Sequence, residues 1–234
     1  MSASAREPLS RQRVLDAAVT LADAGGLAAV TMRGVAAHLG VEAMSLYHHL
    51  PGKEALLDGV AEGVIAEIES ALVEQETRGG PHPSEGPEDW RTALRRRCLT
   101  ARTVMERHPW APGLLASRST IPPPLYTYYE MILATLVSGG FSYHLAHRAL
   151  HSLGTLVLGF TQELFSPASG GGGLDEEAAE ADLAALAAAL PHLSAMVAAE
   201  LHDSAEDPLG WCDSRAEFEF TLDLLLDGLA RARG

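Results

Sequence analysis

Residues 31–50 read TMRGVAAHLGVEAMSLYHHL, and this pattern predicts two short helices joined by a tight turn. The first helix is expected over residues 32–39 and ends at Gly40, because glycine tolerates the positive φ that follows many helices. The second is expected over residues 43–49, and Pro51 ends it because proline disfavours a helical conformation at the preceding residue. A short exposed helix on a two-helix corner is the shape that enters the major groove of DNA.

The polarity of this corner predicts one buried side and one exposed side. The apolar residues that can share a small core are Val35, Ala36, Leu39, Val41 and Leu46. The residues left on the outside of the second helix are Glu42, Ala43, Met44, Ser45, Tyr47 and His48. Helical hairpins that bind nothing also have a glycine at the bend, so the corner alone does not separate a DNA-binding role from a structural one.

The sequence around the corner resembles a known family. Residues 10–65 closely resemble the DNA-binding domain of the TetR family of bacterial repressors, and the matching pieces are VLDAA, GL followed by VTMR, VAAHLGV, SLYHHL and KEALLD. The resemblance implies an N-terminal three-helix domain with a helix-turn-helix over residues 1–52, including an arm over residues 1–9. Its partner would be double-stranded operator DNA.

The same resemblance implies which residues approach the DNA. It brings Thr31 and Arg33 to the duplex and makes Tyr47 a phosphate ligand, and Arg33 can pair with a guanine edge or a phosphate. Lys53 is the only lysine of the chain, and its ammonium can hold a phosphate together with the free N–H groups of a helix start. The predicted DNA-binding set is Thr31, Arg33, Ala43, Met44, Ser45, Tyr47, His48 and Lys53. Because the residues facing the bases are small or apolar, we expect contacts to thymine methyl groups and readout of DNA shape.

The net charge of −14 is unevenly distributed along the chain. Residues 1–60 carry 5 basic and 6 acidic groups, which leaves 12 basic and 25 acidic groups, or −13, in the rest. The acidity therefore lies away from the predicted DNA face, and we expect modest non-specific affinity, with a homodimer doubling the specific contacts. No apolar run has membrane-spanning length, and the N-terminus is not a secretory signal. Two cysteines are too few for a disulfide framework. A cytoplasmic protein without a membrane partner is the simplest expectation.

The remainder of the chain also predicts helices, so the expected fold is all-α. A connecting helix is expected over residues 53–78, followed by a larger helical domain for ligand binding and dimerisation over residues 79–234. The further helices are predicted over residues 90–107, 125–138, 143–165, 175–189, 191–201 and 214–233. The string RHPW and the closing FEFTLDLLLDGL resemble the C-terminal domain of tetracycline-repressor-type family members, which implies that the helices over 143–165 and 214–233 pair with their copies in a four-helix bundle.

That resemblance also implies a pocket for a small-molecule effector. The position of the drug's metal-binding histidine is Leu114, the drug-binding asparagine is Arg97 and a pocket phenylalanine is Ala101, whereas Arg118 and Glu163 match the pattern. We therefore expect a retained scaffold without tetracycline–Mg²⁺ chemistry. The predicted ligand-binding set is Arg97, Ala101, Met105, Leu114, Leu115, Arg118, Tyr129, Leu133 and Glu163. An apolar cavity with two guanidinium groups would suit an aromatic or acidic molecule.

Three histidines leave a second chemistry open. His144, His147 and His151 are spaced three and four residues apart, so they share one face of a helix and could bind a metal. A packing face or a solvated stripe explains the same spacing, and we assign no metal and no cofactor. The sequence has no evident nucleophile–base pair or phosphate loop, so the prediction is a ligand-responsive DNA-binding regulator, most simply a repressor, and not an enzyme. Activation instead of repression, and a DNA-binding module that answers to a partner protein, stay open as alternatives.

Overall fold

The computed structural model describes residues 8–79, 89–160, 189–192, 194–195 and 214–233. In these ranges the regular structure is α-helical, as predicted. The helices are α1 (Arg11–Ala29), α2 (Met32–Leu39), α3 (Ala43–Leu46), α4 (Lys53–Gly79), α5 (Trp90–Arg107), α6 (Ala111–Ser117), α7 (Pro123–Ser138), α8 (Tyr143–Gly159) and α9 (Ser214–Arg233). Among the described helices, none combines the length and the apolar character that crossing a membrane requires.

The chain forms two compact units, residues 1–161 with 222–234, and residues 162–221. The first unit contains α1–α8 and the last part of α9. The second unit is described here only over residues 189–192, 194–195 and the start of α9, where Phe218 is fully buried and Arg215 pairs with Glu219. Residues 175–188 of the helix predicted over 175–189, and most of the helix predicted over 191–201, lie outside the described residues.

Local sequence signals explain how α1 begins and where it breaks. The Ser10 hydroxyl accepts a hydrogen bond from the Arg13 amide at 3.2 Å, which caps the helix start. Gly25 and Gly26 have non-helical backbone angles, and Gly26 has a φ of 68°. Helix α1 is therefore kinked at these glycines, and about one further turn of helix continues from there to Ala29.

The two-helix corner forms as predicted, except for the length of its second helix. The Thr31 hydroxyl caps α2 by accepting from the Gly34 amide at 2.9 Å, and Gly40 lies in the left-handed region at φ 66°. Helix α3 ends at Leu46 instead of residue 49, and the next three residues form a turn in which the His49 amide donates to the Leu46 carbonyl. The helix is shorter than predicted because the Tyr47 and His49 amides bond to carbonyls three residues back instead of four, which tightens the chain into a turn after Leu46.

Helix α4 links the corner to the rest of the first unit. Its 27 residues span about 40 Å at 1.5 Å per residue, and it packs against α1, α5, α6 and α7. One apolar stripe along α4 is buried, and it comprises Leu56, Leu57, Val60, Val64, Ile68 and Leu72. One continuous helix therefore has its first turn beside the corner and its last turns beside α5.

The helix predicted over residues 143–165 begins as expected but is described only to Gly159. The Ser142 hydroxyl caps it by accepting from the Leu145 amide at 3.2 Å. Its described end is at Gly159, where the Phe160 amide donates to the Leu156 carbonyl. The remaining residues of that prediction, 161–165, lie outside the described part of the chain, and Glu163 lies there with them.

Candidate nucleic-acid interface and effector site

The outer face of the corner is accessible, and its inner face is anchored. Met44 is 72% exposed and Tyr47 is 46% exposed, whereas Leu46 and Leu50 are buried. His48 is exposed as well, and Ala43 and Ser45 are partly exposed. In the predicted core of the corner, Val35, Ala36 and Leu46 are buried, while Leu39 and Val41 are only partly so. The structure thus holds α3 through its apolar side and leaves the predicted base-facing side open.

Two predicted DNA ligands lie at the beginning of α2. Thr31 is the N-cap, and its hydroxyl accepts from the Gly34 amide. That hydroxyl can still donate its own proton to a phosphate, since a hydroxyl is both donor and acceptor. Arg33 is exposed two residues after this cap. The position at the start of a helix adds backbone N–H groups that favour an anion.

Lys53 is the first residue of α4 and is exposed. The Leu56 amide bonds back to the Gly52 carbonyl at 3.0 Å, which leaves the amides before it without a partner inside the helix. Glu54 follows Lys53, and its carboxylate is bound by Arg118 Nη1 at 3.0 Å. That ion pair offsets the charge that would repel a phosphate from this helix start.

Arg118 connects the end of α6 with the first turns of α4. Its Nη1 lies 3.0 Å from Glu54 Oε2 and 3.0 Å from Asp58 Oδ1, and its side chain is only 10% exposed. Its Nε is buried and has no hydrogen-bond partner among the described residues. Arg118 was predicted to line the edge of the ligand pocket, and in the structure its guanidinium is directed to the first turns of α4, near the predicted DNA ligand Lys53.

A second connection joins α1 and α4 to the end of α5. His108 is buried, with Nδ1 2.7 Å from Asp23 Oδ1 and Nε2 3.0 Å from Glu67 Oε2. Trp110 Nε1 donates to the same Asp23 oxygen at 2.7 Å, and Arg107 pairs with Glu67 at 2.8 Å. The RHPW string therefore binds one carboxylate on α1 and one on α4. Its role in joining these helices was not part of the sequence-based prediction.

The three consecutive arginines of α5 all pair with carboxylates. Arg95 pairs with Asp223 of α9 at 3.1 Å, Arg96 with Glu76 at 2.9 Å and Arg97 with Glu69 at 2.6 Å. The three are not equally accessible: the Arg97 side chain is 14% exposed, against 27% for Arg96 and 34% for Arg95. Adjacent residues on a helix point about 100° apart, so the three side chains meet acidic residues on different sides of α5.

Arg97 lies where the resemblance implied a pocket. Its side chain is 14% exposed, and its guanidinium carbon is 5.0 Å from the centre of the Tyr128 ring. Burial raises the pKa of Tyr128 above its usual range, and burial also raises the pKa of the neighbouring Cys98 thiol to about 12. The surroundings of Arg97 are thus mainly apolar, with one carboxylate to balance its charge.

The other predicted ligand-binding residues differ in accessibility. Ala101, Met105 and Leu114 are fully buried, whereas Leu115, Tyr129 and Leu133 are partly exposed. A cavity of about 560 Å³ opens beside Arg97, between the end of α4, the start of α5 and the end of α7. Its lining includes Trp90, Arg96 and Met131, which the sequence-based prediction missed. No sequence signal identified them, because they come together only when α5 packs against α7.

The histidine face of α8 is exposed, and two of its rings meet. His147 Nε2 and His151 Nε2 are 3.1 Å apart, and the ring centres are 4.6 Å apart. His144 is exposed on the same helix. Within the described residues no group of three or more potential metal ligands comes together.

Comparison with known proteins matches both parts of the chain to one family. Residues 14–60 match the profile described as "Bacterial regulatory proteins, tetR family", and residues 82–233 match "Tetracyclin repressor-like, C-terminal domain". The HTH-type transcriptional repressor DrrR1 of Streptomyces coeruleorubidus is 35% identical over 133 residues, which cover 55% of this chain and 43% of that protein. The class E tetracycline repressor protein of Escherichia coli is 30% identical over 155 residues, covering 66% of this chain and 68% of the relative.

A solved structure agrees with these matches over nearly the whole length. The crystal structure of the Streptomyces coelicolor TetR family protein ActR in complex with actinorhodin has a TM-score of 0.70 and is 27% identical. The match covers 97% of this chain and all of the ActR chain.

Proposed function

Because the chain belongs to the TetR family of bacterial regulatory proteins, we propose that it is a DNA-binding transcription regulator, and specifically a repressor that a small molecule releases from its operator. The observation that carries this proposal is the anchored corner, in which Leu46 is buried while Met44 and Tyr47 are exposed. A helix presented in this way fits the major groove, which is wide enough to admit one α-helix. The acting compartment is then the cytoplasm, where a bacterial operator lies.

The proposed division of labour follows the predicted domains. Residues 1–52 bind the DNA, and residues 79–234 bind the effector and a second copy of the chain. Residues 53–78 connect these two parts. Tyr47, Lys53 and Thr31 hold phosphates, which fixes the register of the corner on the duplex. Ala43, Met44 and Ser45 face base edges, and Arg33 adds a charged contact. A homodimer would place two such corners on a twofold-symmetric operator.

The proposed effector is an aromatic molecule that carries an acidic group. Arg97 supplies a guanidinium among apolar neighbours, and Trp90 and Met131 line the adjacent cavity. A volume of about 560 Å³ lies within the usual range for small-molecule sites. A charge-assisted bond to a carboxylate or phenolate would compete with the ion pair between Arg97 and Glu69. ActR, one of the structural relatives, was solved in complex with actinorhodin, which supports a search for a small-molecule effector.

The proposed release mechanism runs through α4. An effector that binds better to a form in which the two corners are wrongly spaced weakens DNA binding by the same factor. Arg97 pairs with α4 through Glu69, and Arg118 pairs with α4 through Glu54 and Asp58. A coupling free energy of about 1–3 kcal/mol changes the affinity for DNA about 5–150-fold, which is within reach of a few altered contacts along one helix.

The test of DNA binding is selection of bound duplexes from a random pool with the full-length protein. We expect a twofold-symmetric sequence, lost when Tyr47 and Arg33 are both replaced by alanine. Replacing contacted thymines by uracil should weaken binding if Met44 touches their methyl groups, whereas the same change outside the half-sites should have no effect. Recovery of no preferred sequence would contradict the proposal.

The test of effector binding uses the selected duplex. Fluorescence anisotropy of the labelled operator is followed while aromatic acids, their amides and non-aromatic acids are added. Release by an aromatic acid but not by its amide is the expected result, and Arg97→Gln should weaken that release while leaving operator binding intact. Equal release by acid and amide, or no release by any member of the series, would argue against this effector class.

A further inference from the structure

The pair His147 and His151 stands apart from the DNA face and from the effector region. Both residues are on α8, one helical turn apart, and both side chains are exposed. Helical residues four apart lie above one another on the same face. Here the two rings converge so that their Nε2 atoms are 3.1 Å apart, with ring planes inclined by 75°.

We propose that His147 and His151 form a two-nitrogen chelating site for a divalent transition-metal ion of the zinc and copper class. Imidazole nitrogen binds such ions at about 2.0–2.1 Å. Two nitrogens at that distance and 3.1 Å from each other subtend about 98° at the metal, from the bond length above. That angle lies between the right angle of square-planar copper and the tetrahedral angle of zinc.

The proton balance of binding is simple. Two neutral rings at this separation form one hydrogen bond, in which the Nε2–H of one ring donates to the Nε2 lone pair of the other. A metal ion takes both lone pairs, so the donating ring moves its proton to Nδ1 and each ring then carries N–H at Nδ1. No net proton is released from neutral rings, and water completes the coordination of the ion.

The surroundings of the pair favour a borderline ion over a hard one. Helix α8 has the sequence YHLAHRALHSLGTLVLG and contains no carboxylate, so it offers no oxygen ligand of the kind that Mg²⁺ or Ca²⁺ prefers. Arg148 is the one formal cation of this helix, and it points about 100° away from His147. Among the described residues the proposed ligands are therefore two imidazoles, and selectivity follows the preference of imidazole for zinc, copper and nickel.

The experiment is calorimetric titration of the untagged full-length protein with Zn²⁺, and separately with Cu²⁺. We expect saturable binding that His147→Ala and His151→Ala each weaken at least tenfold. His144→Ala is the matched control, because it removes an exposed histidine of the same helix that does not meet the pair, and it should leave the affinity unchanged. Circular dichroism of all three variants would check that each is folded.

A spectroscopic readout identifies the ligands themselves. Electron paramagnetic resonance of the Cu²⁺ form should show coupling to two nitrogens that is lost in His147→Ala and His151→Ala. One ion per chain, or one ion per two chains, supports the site as long as both variants weaken it. No saturable binding, or binding that neither variant changes, would overturn the proposal.

Discussion

Lys53 shows how a single side chain can be tested as a phosphate ligand. In the proposed complex its ammonium neutralises one phosphate per chain, and each neutralised phosphate contributes about 0.9 to the slope of log affinity against log salt. For a dimer, Lys53→Ala should therefore reduce the steepness of that slope by about 1.8. The measurement is operator affinity by fluorescence anisotropy between low and moderate salt.

The matched control for Lys53 is Arg148→Ala, which removes one exposed cation from α8. It should leave the slope and the affinity unchanged, because only cations near phosphates release counterions on binding. Equal slopes for the two variants would contradict the placement of Lys53 at the DNA.

Cys98 makes a prediction about stability at alkaline pH. Burial raises the pKa of its thiol from 9.0 to about 12. Between these values the folded protein keeps a proton that the unfolded chain releases, so the free energy of unfolding falls as pH rises through this interval. Cys98→Ala should reduce that fall, by at most about 1.4 kcal/mol per pH unit. Urea unfolding at several pH values measures it, and an unchanged dependence would contradict the burial of a protonated thiol.

At the scale of elements, the contact between α1 and α4 depends on a glycine. A Cβ built at Gly59 would lie 2.7 Å from a methyl carbon of Leu15, which is itself buried. A side chain there must push α1 and α4 apart or force Leu15 out of its rotamer, and overpacking of this kind costs about 1–3 kcal/mol. Gly59→Ala should therefore destabilise the first unit although alanine favours a helix.

Gly63 provides the control one turn further along α4. A Cβ at Gly63 meets nothing within 4 Å, so Gly63→Ala should gain about 1 kcal/mol from helix propensity alone. Thermal unfolding of both variants compares them directly. A melting temperature for Gly59→Ala at or above that of Gly63→Ala would show that α1 and α4 are not in close contact there.

The element that the structure redefines is the RHPW string at the end of α5. The sequence suggested only a resemblance. In the fold, His108 and Trp110 both bind Asp23 of α1, and His108 also meets Glu67 of α4. Three helices that are distant in sequence are thus joined by one buried ring at the end of α5.

At the scale of the whole molecule, a substitution of Arg118 tests whether the proposed effector site and the proposed DNA site are coupled. Its buried guanidinium binds two carboxylates in the first two turns of α4. Arg118→Gln removes the charge that holds this helix start against α6. We expect the variant to change the operator affinity measured without effector only slightly, and to change the effect of the effector on that affinity more. The coupling, measured as the ratio of operator affinities with and without effector, should fall by about 0.5–2 kcal/mol.

Arg11→Gln is the comparison for Arg118. Arg11 also pairs with α4, through Glu62 at 3.0 Å, but its side chain is 50% exposed. Exposed ion pairs contribute about 0–1 kcal/mol, so this variant should leave the coupling unchanged. A loss of coupling in Arg11→Gln equal to that in Arg118→Gln would assign the effect to charge in general and not to the buried contact.

The sequence by itself determined the helical fold, the corner and its accessible face. Ser10, Thr31 and Gly40 act through neighbours a few residues away, so their effects can be read without knowing the rest of the structure. The apolar stripe of α4 was equally readable, because burial on one face leaves a helical period in the sequence. The length of α3 was wrong, since the amides of Tyr47 and His49 bond to carbonyls three residues back and turn the chain after Leu46.

The tertiary structure alone decided which side chains meet across the molecule. Arg118 reaches the first turns of α4, the three arginines of α5 each find a carboxylate on α4 or α9, and His108 joins Asp23 to Glu67. Such pairs are separated by tens of residues and leave no periodic trace in the sequence. Their geometry is set by the packing of whole helices, because a side chain reaches only a few ångströms from the helix that carries it.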